Sequence, residues 1–231
     1  LEEVHPERVS IGEETRWNAQ ERAIEGVEVH LYGDLVYYQE PLETVSATAA
    51  EELLVEEIVS GRIRLEQWDR NVEQWIYRTR LVQRLFPDRS LVSYSEDDLR
   101  VIYHEIVTGA TRYNHVRNRP CLGYVQNALS YEDQQFVEQM APTHWKLPSG
   151  PRMRIEYYDG EKPRGRAKIQ ELYDLEQTPR IAGGKQALLL EILAPSFRPV
   201  QVTDDLQSFW KNTYPEVKKD LKRRYSKHAW R

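Results

Sequence analysis

The sequence has a single cysteine, Cys121, among its 231 residues. One thiol cannot form a disulfide within the chain, and such low cysteine use is typical of a reducing cytoplasm. No apolar run approaches the roughly 18–20 residues of a membrane-spanning helix. The N-terminal stretch LEEVHPERVS has neither the basic nor the apolar region of a signal peptide. These absences predict a cytoplasmic protein without membrane contact, and the missing initial methionine indicates part of a longer protein.

The sequence also lacks the motifs of common catalytic sites. It contains no G-x-x-x-x-G-K-S/T phosphate loop, because the GGKQ stretch at 183–186 lacks the spacing of the first glycine and the magnesium-binding hydroxyl. His104-Glu105 has no second histidine at the spacing of a zinc protease. The glutamates between residues 51 and 57 indicate a solvated helix face. We therefore predict no catalytic residue, metal ligand or cofactor in this chain, and an unreactive thiol at Cys121 that is buried or partly buried.

Charge is distributed unevenly along the chain. The sequence has 32 Lys and Arg against 37 Asp and Glu, a net charge of −5. Residues 211–231 hold eight Lys and Arg against Glu216 and Asp220, which gives this segment +6 and leaves −11 for residues 1–210. A basic helix with Trp and Tyr nearby is typical of a phosphate-binding surface, but a charge run is also typical of a solvated helix face.

Hydrophobic periodicity divides the chain into three parts. These are residues 1–45, residues 46–140 and residues 141–231. The first part alternates like an antiparallel meander, with a turn at Gly33. The second part has helical spacing, with capping boxes predicted at Thr48 and Ser95 and the longest helix over 65–86. The third part returns to short strands, with a hairpin signal at Asp159-Gly160, and ends in helices.

This pattern predicts an α+β fold around a small OB-like antiparallel β-barrel. Neither group of strands alone makes a stable sheet with both edges protected, so residues 1–45 and 141–203 are predicted to form one β unit. The helical part is then a large insertion or an adjoining subdomain. At the end of the chain, Thr203 is predicted to cap one helix, and Thr213 with Glu216 to open a second through a capping box.

Basic side chains of the third part are the candidates for binding a ligand. Arg152 and Arg154 alternate onto one strand face, and Arg166 and Lys168 onto another. An OB-like barrel offers a face where single-stranded nucleic acid follows a positive groove and stacks on aromatic rings. Alternation fits ordinary solvent-facing residues equally well. The predicted nucleic-acid-binding residues are Arg152, Arg154, Arg166, Lys168, Arg180, Lys185, Arg198, Lys218, Lys219, Lys222 and Arg223.

Several segments of the sequence resemble those of a known family. They are APTH at 141–144 with LPSG at 147–150, QELYDL at 170–175, TPRIAGG at 178–184, and RPVQVT from 198 with TYPEVKKDLK from 213. Together they are similar to the C-terminal region of HrpB-type DEAH-box ATP-dependent helicases. The resemblance is strong over 141–230 and weaker over 7–85. It departs from the family at Trp230, which lacks the proline and acidic residues that usually surround it.

The resemblance implies an accessory region of a bacterial, cytoplasmic RNA helicase that helps to bind or guide single-stranded RNA or DNA. Two RecA-like motor domains outside this chain would act in cis and would bind ATP and Mg²⁺. The alternative is a protein–protein interaction module that docks or regulates the helicase through the acidic helical part. A freestanding hydrolase is disfavoured, because the sequence contains no nucleophile–base pair or metal-binding set.

Overall fold

The computed structural model describes residues 8–231, which fold as two compact units. Unit 1 comprises the described residues up to Val72 together with Tyr94–Ala128, and unit 2 comprises Glu73–Ser93 and Leu129–Arg231. The chain passes between the units three times, so neither unit is continuous in sequence. The first seven residues of the stretch that lacks signal-peptide features lie outside the described residues. None of the helices within 8–231 has the length and apolar character needed to cross a membrane.

Unit 1 contains a three-stranded antiparallel sheet. Its strands, in spatial order, are β1 (Val9–Asn18), β2 (Ala23–Tyr32) and β3 (Leu35–Pro41). The predicted meander is therefore confirmed. Gly33 turns the chain between β2 and β3 with φ of +60°, a conformation that glycine adopts at little cost. Val27 and Val29 on β2 are buried.

The helices that begin in unit 1 are, in chain order, α1 (Ala47–Val59), α2 (Arg70–Leu85), α3 (Glu96–Val107), α4 (Tyr113–Val116) and α5 (Cys121–Asn127). Most of α2 belongs to unit 2. The predicted capping box of Ser95 with Asp98 is confirmed at the start of α3. The box predicted at Thr48 is wrong, because Ser46 caps α1 by accepting from the Ala49 amide at 3.4 Å. Thr48 lies inside the first turn, too late in the sequence to act as the cap.

Unit 2 contains a five-stranded mixed sheet. After α6 (Tyr131–Met140) come β4 (His144–Lys146), β5 (Arg152–Glu156), β6 (Arg164–Lys168), β7 (Arg180–Ile181), β8 (Gln186–Ala187), β9 (Leu189–Leu193) and β10 (Pro199–Thr203). The order is β10-β9-β6-β5-β4, in which only β6 and β9 are parallel neighbours. β7 and β8 form a separate two-stranded sheet. The hairpin predicted at Asp159-Gly160 joins β5 to β6 and is confirmed.

One face of the five-stranded sheet is the core of unit 2. Alternate residues of its central strands are no more than 3% exposed; they are Met153, Ile155, Ala167, Leu190 and Ile192. A large apolar side chain of this kind contributes about 1.5–3 kcal/mol when it is fully buried. Gly165 lies opposite Ile155 on this face, and a Cβ atom there would meet the Cε atom of Met153 at 2.5 Å. The absence of a side chain at Gly165 therefore makes room for Met153.

Helix α2 is tied to the rest of unit 2 by polar contacts. The Gln74 side chain donates to the carbonyl of Tyr157 at 2.8 Å and accepts from its amide at 2.9 Å. Arg78 is buried and donates from Nε to the carbonyl of Ala141 at 2.6 Å. Its guanidinium also pairs with Glu138 at 2.8 Å. These bonds satisfy polar groups that would otherwise be costly to bury.

The last helical elements of the chain form one continuous segment that ends at Arg224. It consists of α7 (Leu206–Ser208), a π-helical turn (Phe209–Thr213) and α8 (Tyr214–Arg224). Asp205, and not Thr203, caps α7, because its side chain accepts from the Ser208 amide at 2.9 Å. Thr203 accepts instead from the Asp205 amide at 3.0 Å. The capping box predicted at Thr213 is also wrong, since the π turn runs directly into α8 and leaves no free helix start there.

The predicted OB-like barrel is not confirmed. Among the described residues, the strands of 9–41 and those of 144–203 lie in different sheets and in different compact units. The prediction of one β unit is therefore wrong for these strands. The five-stranded sheet is open, with β4 and β10 as its edges. The alternation of apolar and polar residues predicted where strands occur, but it carries no information on which strands pair with each other. The parallel pairing of β6 with β9 therefore could not be inferred from it.

Candidate nucleic-acid interface

The solvent side of the five-stranded sheet is lined by basic residues. Because side chains alternate along a strand, the residues between the buried positions all point to the opposite face. We call this set the basic sheet face; its members are Lys146 on β4, Arg152 and Arg154 on β5, and Arg164, Arg166 and Lys168 on β6. The prediction that Arg152 shares a face with Arg154, and Arg166 with Lys168, is confirmed.

Two pairs of basic residues face each other across β4 and β5. Lys146 lies opposite Arg152, and His144 lies opposite Arg154. Like charges directly opposite each other destabilise a sheet. Within residues 8–231, the side chains of Lys146, Arg152 and Arg154 have neither an ion pair nor a hydrogen bond. The positive charge at this edge of the sheet is therefore not neutralised by neighbouring side chains of the described chain.

The hydrogen-bond pattern places these two pairs at the closest positions of the ladder. The Leu147 amide donates to the Pro151 carbonyl at 2.9 Å, and the Ile155 amide donates to the Thr143 carbonyl at 2.9 Å. Hydrogen-bonded and non-hydrogen-bonded pairs alternate in an antiparallel ladder, so both basic pairs occupy non-hydrogen-bonded positions. Facing side chains approach each other most closely there. An anion with two charged oxygens could thus contact both members of a pair.

The β6 part of the basic sheet face differs, because its arginines have acidic partners. Arg164 pairs with Glu161 at 2.6 Å, and Arg166 pairs with Glu191 on β9 at 2.9 Å. Ion pairs at such exposed positions contribute little to stability and exchange readily with solvent. The face therefore has an unpaired half on β4 and β5 and a paired half on β6.

Aromatic rings border the paired half. The Nζ of Lys168 lies 4.1 Å from the ring centre of Phe197, in the turn between β9 and β10. The guanidinium carbon of Arg164 lies 4.9 Å from the ring centre of Tyr158, whose hydroxyl donates to Glu156 at 2.8 Å. Cations next to aromatic rings are the combination that single-stranded nucleic acids use for phosphate contact and base stacking.

Arg180 and Lys185 lie apart from this face, on the strand β7 and before β8. Arg180 donates from Nε to the carbonyl of Gly184 at 2.6 Å. Lys185 donates to the carbonyl of Leu85, the last residue of α2, at 2.9 Å, and its Nζ lies 4.1 Å from the ring centre of Phe86. Free carbonyls at a helix C-terminus favour a cation. Lys185 therefore has a structural contact that the sequence did not predict.

The basic residues of α8 are largely paired along their own helix. Lys219 contacts Glu216 at 2.7 Å, and Arg223 contacts Asp220 at 2.9 Å. Such pairs at spacings of three residues are typical of a solvated helix face. Among the described residues, Lys222 has no side-chain partner of this kind.

The two remaining candidates lie near the ends of α8 and β10. The Nζ of Lys218 lies 6.0 Å from the ring centre of Tyr214. Arg198 is exposed and lines a groove together with Val200 of β10 and Asp220 of α8. The carboxylate makes this groove less suited to phosphate than the basic sheet face.

Three contributors to the site were missed from the sequence. Lys146 could have been found, because His144-Trp145-Lys146 alternates and the following Pro-Ser-Gly turn pairs it with the next strand. Arg164 could have been found in the same way, from its spacing to Arg166. Phe197 had no such signal, because its exposure and backbone conformation depend on the turn that holds it.

No group of three or more His, Cys, Asp and Glu side chains within residues 8–231 is placed to hold a metal ion. Cys121 is fully buried, as predicted. Burial, followed by the nearby charge of Asp69, raises the pKa of its thiol to about 11. The thiolate, which is the nucleophilic form, is therefore scarce at neutral pH.

A family model described as "ATP-dependent helicase C-terminal" matches residues 103–231, more than half of the chain. The chain belongs to this HrpB-type family. The ATP-dependent RNA helicase HrpB of Escherichia coli (strain K12) is 25% identical over an aligned length of 229 residues, and the alignment covers 97% of this chain and 28% of that protein. The chain thus spans little more than a quarter of its relative's length. The family match includes every strand of the basic sheet face.

Solved structures show the same relationship. The crystal structure of the E. coli DExH-box NTPase HrpB is similar with a TM-score of 0.78 and 25% identity, over 100% of this chain and 29% of that one. The crystal structure of the E. coli DEAH/RHA helicase HrpB is similar with a TM-score of 0.70 and 25% identity, over 96% of this chain and 29% of that one. The fold described above is therefore that of an HrpB C-terminal region.

Proposed function

We propose that this chain is the part of an HrpB-type helicase that holds a single strand of RNA or DNA through the basic sheet face. The motor domains of the whole helicase would hydrolyse ATP, with Mg²⁺, and this region would keep hold of the strand between steps. The name of the E. coli relative makes RNA the first ligand to test.

One observation carries the proposal: Lys146 and Arg152 face each other at a close cross-strand position with no acidic partner among the described residues. Such a pair costs stability in the free protein. A phosphate between the two cations would turn that repulsion into attraction and would release counterions from the nucleic acid. A polyanion explains the arrangement better than solvation alone, because solvated basic residues need not face each other.

The second candidate function is a protein-docking module, and the charge of unit 1 favours it. The described residues of unit 1 contain 10 Lys and Arg against 18 Asp and Glu, a net of −8. Such a surface repels nucleic acid and suits a basic protein partner. The two functions predict different results for charge reversal on the basic sheet face. It should weaken nucleic-acid binding under the first function and leave it unchanged under the second.

Charge reversal on the two candidate surfaces tests the proposal. The binding of a fluorescein-labelled 12-nucleotide RNA would be measured by anisotropy from 50 to 200 mM salt. In the variant R152E/R154E we expect affinity to fall at least tenfold at low salt. The dependence of affinity on salt should become shallower by about 0.7 for each phosphate that the variant no longer binds. The variant K218E/K222E has the same change in net charge and is the matched control.

We expect the affinity of K218E/K222E for the RNA to stay within about twofold to threefold of that of the parent. This variant changes only the overall electrostatic field of the protein. If both double variants bind as the parent does, the nucleic-acid function of this chain is wrong and the docking function replaces it. If only K218E/K222E loses affinity, the strand binds α8 and not the sheet.

A further inference from the structure

The turn between β9 and β10 contains a residue that its backbone conformation disfavours. The Phe197 amide donates to the Ala194 carbonyl at 2.9 Å, and the Ala194 amide donates to the Arg198 carbonyl at 2.8 Å. This arrangement gives Phe197 a φ of +65°. Glycine or asparagine is the usual residue at such a position in a hairpin, and a bulky side chain there is strained.

Packing does not compensate for this strain. The Phe197 side chain is 64% exposed, so little of its ring is removed from water. The centre of the ring lies 4.1 Å from the Nζ of Lys168, a member of the basic sheet face. The next residue, Arg198, is exposed as well. An apolar ring thus stands in solvent next to Lys168 and is followed in the sequence by a second basic residue, at the border of the proposed phosphate-binding surface.

We propose that Phe197 is a stacking platform for an unpaired base of the strand whose phosphates contact the basic sheet face. This inference rests on the proposed function and adds to it a contact with a base. Every base has a π-face, so stacking on Phe197 would be tolerant of sequence. In a duplex the bases are already stacked on each other, and so the contact selects single strands. Lys168 would hold the ring and an adjacent phosphate together.

Phe197→Gly is the informative substitution, because glycine suits the turn and removes only the ring. Binding of a single-stranded 12-mer, as RNA and as DNA, would be compared with binding of its blunt duplex. We expect F197G to lose about tenfold affinity for the single strands, with little change for the duplex. Phe197→Trp should keep the single-strand affinity. A 2-aminopurine placed in the strand should be quenched on binding by the parent and by F197W, but not by F197G.

The stability of the variants separates a binding role from a structural one. Since glycine relieves the positive φ, the unfolding midpoint of F197G should equal or exceed that of the parent. A lowered midpoint together with weakened binding would overturn the inference, as would equal weakening on single strand and duplex. If F197G binds as the parent does while R152E/R154E loses affinity, stacking is wrong and the proposed function stands. If R152E/R154E keeps full affinity, the proposed function itself fails.

Discussion

The three-stranded and the five-stranded sheet both place like charges opposite each other, but the charges are neutralised to different extents. In unit 1, Glu13, Glu28 and Glu40 lie opposite one another across β1, β2 and β3. Local donors relieve this row, because Glu28 contacts His30 at 2.8 Å and Glu40 accepts from the Tyr38 hydroxyl at 2.9 Å. These carboxylates raise the pKa of Tyr38, chiefly through its hydrogen bond with Glu40. The unpaired half of the basic sheet face has no such relief within residues 8–231.

The difference shows that the local charge of a surface depends more on how its side chains are arranged than on the net charge of the unit. Unit 2 contains 22 Lys and Arg against 16 Asp and Glu, a net of +6. Residues 211–231 account for all of that excess, and the rest of unit 2 is neutral. The basic sheet face is thus a local concentration of cations within a neutral body. Alternation along the strands places these basic side chains on one face, which they share with Glu156 and Glu191.

The largest effect on stability should come from removing the buried guanidinium that joins α2 to the rest of unit 2. In Arg78→Met the carbonyl of Ala141 loses its donor and Glu138 loses its partner. We expect the free energy of unfolding to fall by about 2–4 kcal/mol. Urea denaturation followed by tryptophan fluorescence measures it. Arg84→Met, at an exposed position of the same helix, is the control and should cost less than about 0.5 kcal/mol. Equal losses in the two variants would contradict a structural role for Arg78.

The next largest effect should come from filling the space that Met153 uses beneath the basic sheet face. In Gly165→Ala the new Cβ would lie 2.6 Å from the Met153 sulfur, so the side chain must move. We expect a loss of about 1–3 kcal/mol in the free energy of unfolding. Met153→Ala is itself destabilising because it truncates a buried side chain, but the double variant should lose less stability than the two single losses added together, since the clashing atoms are gone. A double variant less stable than the sum of the two single variants would show that the crowding lies elsewhere.

Charge reversal in the two halves of the basic sheet face should have smaller effects on the free energy of unfolding, and these effects should have opposite signs. Arg152→Glu places a carboxylate opposite Lys146 and should raise the free energy of unfolding by about 0.2–1 kcal/mol. Arg166→Glu removes the pair with Glu191 and opposes two carboxylates, so it should lower this energy by about 0.5–1 kcal/mol. Midpoints of urea denaturation at low salt report both. If both variants shift the midpoint in the same direction, the two halves do not differ in the way described here.

The smallest effect concerns a capping motif that both units share, Ser95 with Asp98 in unit 1 and Ser130 with Asp133 in unit 2. In unit 2, the guanidinium of Arg89 lies 2.9 Å from Asp133. The hydrogen bond from Ser130, followed by Arg89, lowers the pKa of Asp133. A carboxylate whose pKa is lowered by folding stabilises the folded protein at pH values above its unfolded-state pKa, near 3.9. This stabilisation is lost as the pH falls through the folded-state pKa.

The stability difference between the parent and Asp133→Asn should therefore be larger at pH 7 than at pH 3. Denaturation midpoints at the two pH values measure it. Asp98→Asn provides the comparison from unit 1. A difference for Asp133→Asn that does not shrink at pH 3 would mean that charge on this carboxylate contributes nothing.

Local features of the fold could be predicted from the sequence, and long-range ones could not. The meander, the cap at Ser95 and the shared face of Arg152 and Arg154 follow from residue spacing within one strand or helix. The parallel pairing of β6 with β9 depends on residues far apart in sequence, and no alternation encodes it. The cap predicted at Thr213 is wrong because a π turn makes this residue part of a continuous helix. Predicting the contact of Lys185 with α2 would have required the position at which that helix ends.

The way α2 is shared has a consequence for modularity. Unit 2 depends on Gln74 and Arg78 for bonds to Tyr157 and Ala141, and both residues precede residue 103, where the family match begins. The segment that the family model matches therefore leaves out residues on which unit 2 depends. A graft of 103–231 into a related protein would lack these bonds. A segment that keeps all of unit 2 must span residues 73–231, and it then includes the segment 94–128 that belongs to unit 1.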